Sequence, residues 1–91
     1  MSEDRKTLLG RRLRAARTNA RLSQAFVADG LAVTRQTVSG WETGAYSPSA
    51  TQLAELATMY CVCAHALLFG EPFRAVGFGA FMGQGRALSP N

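Results

Sequence analysis

Apolar positions along the N-terminal third fall at helical spacing. Leu9, Leu13, Ala16 and Ala20 sit at i, i+4, i+7 and i+11, and Arg17 occupies i+8 on the same stripe. A first helix is predicted from Lys6 or Thr7 to Asn19. A cation on a buried stripe strands about 3–5 kcal/mol unless a partner meets it, so Arg17 requires a carboxylate from elsewhere in the chain. Ser23 then reads as an N-cap, opening a short helix from Gln24 to about Gly30 with Val27, Ala28 and Leu31 facing inward. Leu31-Ala32-Val33 is a tight connector, and Thr34 is the next N-cap. The helix that follows runs to about Glu42, with Val38, Trp41 and Glu42 at i, i+3 and i+4 as its inner face. Gly44 stops it, because glycine accepts the left-handed cap conformation cheaply.

The second half continues the pattern. Ala45-Tyr46-Ser47-Pro48 is a loop, and Pro48 or Ser49 opens a fourth helix whose apolar face is Leu53, Leu56, Ala57 and Tyr60. Cys61-Val62-Cys63 is a break, and a last helix from Ala64 to Phe69 ends at Gly70. The expectation is an all-α, five-helix bundle over residues 1–70. Residues 71–91 change character: Gly77, Gly79, Gly83, Gly85, Pro72 and Pro90 remove any helical period, yet Phe73, Phe78, Phe81 and Met82 are present. This Gly/Phe-rich extension reads either as a mobile terminus or as an arm that orders against a second subunit or a protein partner.

A chain of 91 residues leaves room for one domain of ordinary size. An apolar share of 47% with 18% charged residues argues against wholesale disorder. No apolar run approaches the length of a membrane helix, and the polar, acidic start Met1-Ser2-Glu3-Asp4 is unlike a secretory signal, so a cytoplasmic location is expected. Cys61, Cys63 and His65 supply at most three metal ligands, and a disulfide between residues two apart is strained. The two cysteines are expected as small, semi-buried apolar side chains, with no metal and no cofactor. Without a nucleophile elbow or phosphate loop, no catalytic constellation emerges.

The formal charge is +4, and its placement is uneven. Arg5, Lys6, Arg11, Arg12, Arg14, Arg17 and Arg21 face only Glu3 and Asp4 in the first 21 residues, whereas residues 22–69 carry Arg35 against Asp29, Glu42 and Glu55. Such a patch draws polyanions, nucleic acid first, or else forms a solvated helix face; charge alone leaves both open.

Two short helices with capped starts and a tight turn between them form a helix-turn-helix pattern. The runs Leu22-Ser23-Gln24-Ala25-Phe26-Val27-Ala28 and Val33-Thr34-Arg35-Gln36-Thr37-Val38-Ser39-Gly40-Trp41-Glu42-Thr43-Gly44 resemble the phage-repressor (Cro-like, xenobiotic-response-element type) DNA-binding family. The resemblance extends without gaps from Gly10–Arg17 through Pro48, Leu53, Ala57, Leu67 and Leu68 to Gly70. It implies a repressor-like fold in which Glu42 is the partner of Arg17, locking the first helix to the third.

With Val38 and Trp41 inside, Thr34, Arg35, Gln36, Ser39 and Gly40 are expected to point outward. In a major groove Gln36 could pair with adenine and Arg35 with guanine or a phosphate. The resemblance assigns base reading to Arg35, Gln36, Ser39 and Gly40, and a phosphate clamp to Gln24 at the start of its helix. Thr34, Thr37 and Thr43 are further phosphate candidates, with Arg11, Arg12 and Arg14 adding attraction if their face lies near the backbone. The implied partner is double-stranded DNA, bound at a palindromic operator by a homodimer; the implied role is a bacterial or phage repressor associated with the nucleoid. The fifth helix is the expected dimer surface, through His65, Leu68 and Phe69, extended by Phe73. The alternative is a protein-interaction module on the same scaffold, antitoxin-like or an adaptor, whose Phe-rich tail binds a protein.

Several positions depart from the family pattern. Ala32 stands where glycine is common in the turn and positive φ is often needed, at a cost of about 1 kcal/mol. Arg21 likewise replaces a small residue. Gly40 replaces a long polar side chain, and Ala45-Tyr46-Ser47 lacks the basic residue often found in that loop. Phe26 occupies a usually polar position, with partial burial against the first helix or exposure toward a partner as its two readings.

Overall fold

A computed structural model describes residues 4–71, and these form five α-helices with no strand among them. They are α1 (Arg5–Asn19), α2 (Gln24–Leu31), α3 (Arg35–Thr43), α4 (Ala50–Tyr60) and α5 (Ala64–Phe69). Phe73 and the rest of the Gly/Phe-rich extension lie outside the described residues, as does the question of whether it forms an arm.

Helix starts follow local side-chain chemistry. Asp4 caps α1 by accepting from the Thr7 amide at 2.8 Å, which starts the helix slightly earlier than its apolar stripe suggests. That bond holds the Asp4 carboxyl below its ordinary pKa. Ser23 and Thr34 cap α2 and α3 in the same way. Ser49, rather than Pro48, opens α4, and Gln52 Oε1 accepts from the Ser49 amide to complete a capping box. Gly44 and Gly70 end α3 and α5 in the left-handed conformation. Three non-glycine residues adopt it as well: Arg21 (φ 62°), Ala32 (φ 58°) and Cys61 (φ 58°). The turn between α2 and α3 thus keeps the shape a glycine would favour, with Ala32 held in it.

The core brings one stripe from each helix together. Leu13, Val27, Val38 and Leu56 are fully buried, and Trp41, Tyr60 and Leu67 join them. Helix α1 packs on α3 and α5, while α2 packs on α3 and α4. At the α1–α3 crossing the backbones nearly touch: a Cβ on Gly10 would lie 2.6 Å from the carbonyl oxygens of both Trp41 and Glu42. Across the bundle, Arg12 donates to the Leu68 carbonyl at 2.9 Å and reaches that of Leu67 at 3.5 Å. Arg12 Nη1 therefore clasps the C-terminal end of α5, where a cation meets terminal carbonyls.

One expectation needs correction, and one open alternative resolves. Cys61 and Cys63 are exposed rather than semi-buried, because they sit in the turn that leaves α4, with Cys61 its left-handed cap. Phe26 is 58% exposed and does not pack into the bundle, since Val27 and Ala28 already fill the inward face of α2. Among the described residues no helix is long and apolar enough to cross a membrane, and no cluster of His, Cys, Asp or Glu is placed to hold a metal.

Candidate nucleic-acid interface

Helix α3 is mounted by its inner face and by an ion pair. Val38 and Trp41 are buried, and the buried Glu42 carboxylate accepts from Arg17 Nε at 2.6 Å and Arg17 Nη2 at 3.1 Å. Arg17 Nη1 donates to the Leu22 carbonyl at 2.8 Å, tying the start of the helix-turn-helix unit to α1. The carboxylate bond raises the Arg17 pKa against the opposing effect of burial, so the guanidinium stays charged. A third donor, Gln24 Nε2, reaches Glu42 Oε1 at 3.0 Å. The bidentate geometry links α1, α2 and α3 at one point.

The mount sets which side chains of α3 face out. Arg35 and Gln36 are exposed and Ser39 is half-buried, in line with the periodicity. Gly40 is different, because it is buried rather than outward-facing. It is buried because the Tyr46 ring lies across it: a Cβ at Gly40 would fall 2.6 Å from Tyr46 Cε1 and closer still to Cζ and Oη. The loop folds back to make this cover, with the Ala45 amide bonded to the Gly40 carbonyl at 3.0 Å and the Tyr46 hydroxyl donating to the Gln36 carbonyl at 3.2 Å. Sequence reasoning passed over Tyr46 as a loop residue. The available signal was the pairing of a glycine inside a helix with an aromatic just beyond its cap.

The three threonines are held by local bonds. Thr34 Oγ1 accepts from the Thr37 amide at 3.1 Å and lies 2.9 Å from the Thr37 hydroxyl, while Thr43 Oγ1 donates to the Gly40 carbonyl at 3.3 Å. Thr34 and Thr43 are exposed, Thr37 half-buried.

Residues distant in sequence meet beside α3. A shallow cleft of about 450 Å³ is lined by Arg14 of α1, Ser23 and Gln24 at the start of α2, and Arg35, Ser39 and Thr43 of α3. Gln24 commits one amide proton to Glu42 and retains a second. The Arg17–Glu42 pair also lines the cleft, and with Arg14, Arg35 and the α2 N-terminus beside it the cleft has donors and an excess of positive charge that suit an anion. Arg11 is exposed on α1 but does not line this cleft.

The predicted dimer residues form a separate face. Leu68 and Phe69 are exposed beside an apolar groove of about 420 Å³ to which Leu9, Pro48 and Leu53 also contribute. The half-buried His65 ring sits 4.7 Å from that of Phe69, with Nδ1 2.8 Å from the Glu71 carbonyl oxygen. On another side, exposed Phe26 borders a groove of about 560 Å³ with Ala54 and Met59.

A family model described as a helix-turn-helix domain matches residues 8–68. Among solved structures, the P22 c2 repressor in complex with synthetic operator 9T is similar at 28% identity, covering 70% of this chain and 97% of that one with a TM-score of 0.66. The DNA-binding domain of BldD is similar at 34% identity over 75% of this chain and 99% of its own, TM-score 0.63. The S. venezulae BldD DNA-binding domain gives 32%, 72% and 99%, again at 0.63. No curated protein matches the chain. With the helix-turn-helix geometry, the Arg17–Glu42 mount and this coverage, the chain belongs to the phage-repressor (Cro-like, xenobiotic-response-element type) helix-turn-helix family of DNA-binding regulators.

Proposed function

We propose that the protein is a sequence-specific transcriptional repressor that binds a palindromic operator as a homodimer in the cytoplasm. The observation that carries this reading is the convergence of Arg14, Gln24 and Arg35 on one cleft beside the exposed face of α3. Helix α3 enters the major groove, where Gln36 pairs with adenine and Arg35 with guanine, Ser39 adding a shorter polar contact. Gln24, supported by the α2 N-terminus, holds a phosphate, and Arg14 and Arg11 add attraction. Thr34, Thr37 and Thr43 contribute hydroxyls along the same strand, fixing register without reading sequence. The P22 c2 repressor, similar in fold and bound to its operator, supports the same mode of docking here.

One such domain covers little DNA, so specificity requires two copies. The Leu68–Phe69 face is the proposed seam, placing paired recognition helices about 34–36 Å apart. Selection from random duplex DNA near physiological salt tests the whole reading. Enrichment of a palindrome with half-sites about one helical turn apart, and affinity that falls steeply with salt, are expected. A folded protein that enriches no sequence, or whose binding ignores salt, refutes it.

A second reading draws on Phe26. An aromatic exposed beside an apolar groove suits a protein partner, as an antitoxin-like or adaptor module would need. Capture of a partner that Phe26→Ser abolishes, with DNA selection absent, would favour it.

A further inference from the structure

Gly40 lies on α3 one turn after Gln36 and carries no side chain, yet its surface is not bare. The Tyr46 ring fills that place from the following loop, spanning the turn of helix between Gln36 and Gly40. The fit is specific, because any Cβ at Gly40 would overlap the ring. The Tyr46 hydroxyl is directed at the Gln36 backbone carbonyl, 3.2 Å away, so the polar end of the side chain faces the helix. The residue as a whole remains 46% exposed. What it offers outward is therefore mostly ring carbon, one helical turn from the Gln36 side chain.

Resting on the DNA-reading function proposed above, we propose that Tyr46 is a specificity-determining residue that recognises a thymine methyl group in the half-site. In the major groove thymine alone of the four bases presents a methyl, and an apolar side chain is its natural complement. A recognition helix with glycine at this point has lost one polar contact and gained an aromatic one from outside the helix. Gln36 and Tyr46 then read adjacent chemistry, the first a donor–acceptor pair on adenine, the second an apolar group beside it.

The test uses the full chain and the site it enriches. Each thymine of a half-site is replaced singly by deoxyuridine, which removes only the methyl, and affinities are compared for the wild type, Tyr46→Ala, Tyr46→Phe and Gly40→Ala. The wild type should lose about fourfold at one thymine, the size expected for one buried methyl. Tyr46→Ala should bind thymine and deoxyuridine alike there, while Tyr46→Phe keeps the discrimination because the ring carries it. Gly40→Ala should lose it too, since its methyl and the ring cannot share the place, and alanine preserves the helix. Circular dichroism confirms folding of each variant. A methyl penalty that persists in Tyr46→Ala, or vanishes in Tyr46→Phe, overturns this inference while leaving the DNA-reading function intact. A wild type that enriches no site overturns both.

Discussion

Glu42 and Arg17 are coupled strongly enough for a double-mutant cycle to resolve. Their side chains are 4% and 12% exposed, and two donors of one guanidinium meet both oxygens of one carboxylate. Arg17→Met leaves that carboxylate buried with only the Gln24 amide from this network. The reverse change, Glu42→Met, leaves a guanidinium bonded to the Leu22 carbonyl, but one whose longer stem can swing toward water. Stranding a buried charge costs about 3–5 kcal/mol, and Arg17→Met should lie at the upper end. At about 4–8 °C per kcal/mol for a domain of this size, even 3 kcal/mol lowers Tm by roughly 12–24 °C. A small domain has about 5 kcal/mol to lose, so the arginine variant should be close to unfolded at room temperature. The double variant Arg17→Met/Glu42→Met strands nothing and should recover part of the loss. Urea unfolding followed by circular dichroism and by the fluorescence of the buried Trp41 measures all four corners. Additive losses, or a double variant less stable than Arg17→Met, would refute the argument that desolvated charge dominates this contact.

Further outcomes follow from the same geometry. Gln36→Ala should relax preference for adenine at one step, by about 1–3 kcal/mol, while the helical content stays unchanged; selection from random DNA reads this directly. Burial pushes the Tyr60 phenol up to about 12 from its ordinary 10.0, and its buried hydroxyl has no hydrogen-bond partner among the described residues. Folding thus favours the protonated phenol, so its contribution is intact below pH 10 and is lost as pH rises toward 12. Tyr60→Phe should flatten that part of the stability–pH curve without loss at neutral pH. Ala32→Gly should raise Tm, because it relieves a left-handed alanine worth about 1 kcal/mol. Gly10→Ala should destabilise by about 1–3 kcal/mol in denaturant titrations, since the obstacle is backbone and cannot rotate away.

Sequence spacing was sufficient for whatever depends on one helix at a time. Val38, Trp41 and Glu42 face inward as their intervals require, and the capping residues Ser23 and Thr34 begin the helices they mark. The charge on the α1 stripe announced that a carboxylate must meet Arg17, although naming Glu42 took the family resemblance. Two contacts went unseen because one segment returns to another. Tyr46 folds back from a loop onto Gly40, and Arg12 reaches α5 carbonyls far along the chain, contacts with no periodicity to reveal them. Phe26 was left between burial and exposure, and it is exposed because the inward positions of α2 are already taken. The cleft joining Arg14, Gln24 and Arg35 needed three helices placed in space, which no single amphipathic pattern encodes.

The close approach at Gly10 separates two demands that a recognition helix usually faces together. Helix α3 rests on α1 partly through its own carbonyl groups at Trp41 and Glu42, and main-chain atoms are common to every sequence. That part of its seating is indifferent to which side chains project from Arg35, Gln36 and Ser39 on the other side. A lineage could therefore exchange those residues, and with them the sequence that the proposed function has them read, without renegotiating how the helix is held. The bearing stays fixed while the key is recut.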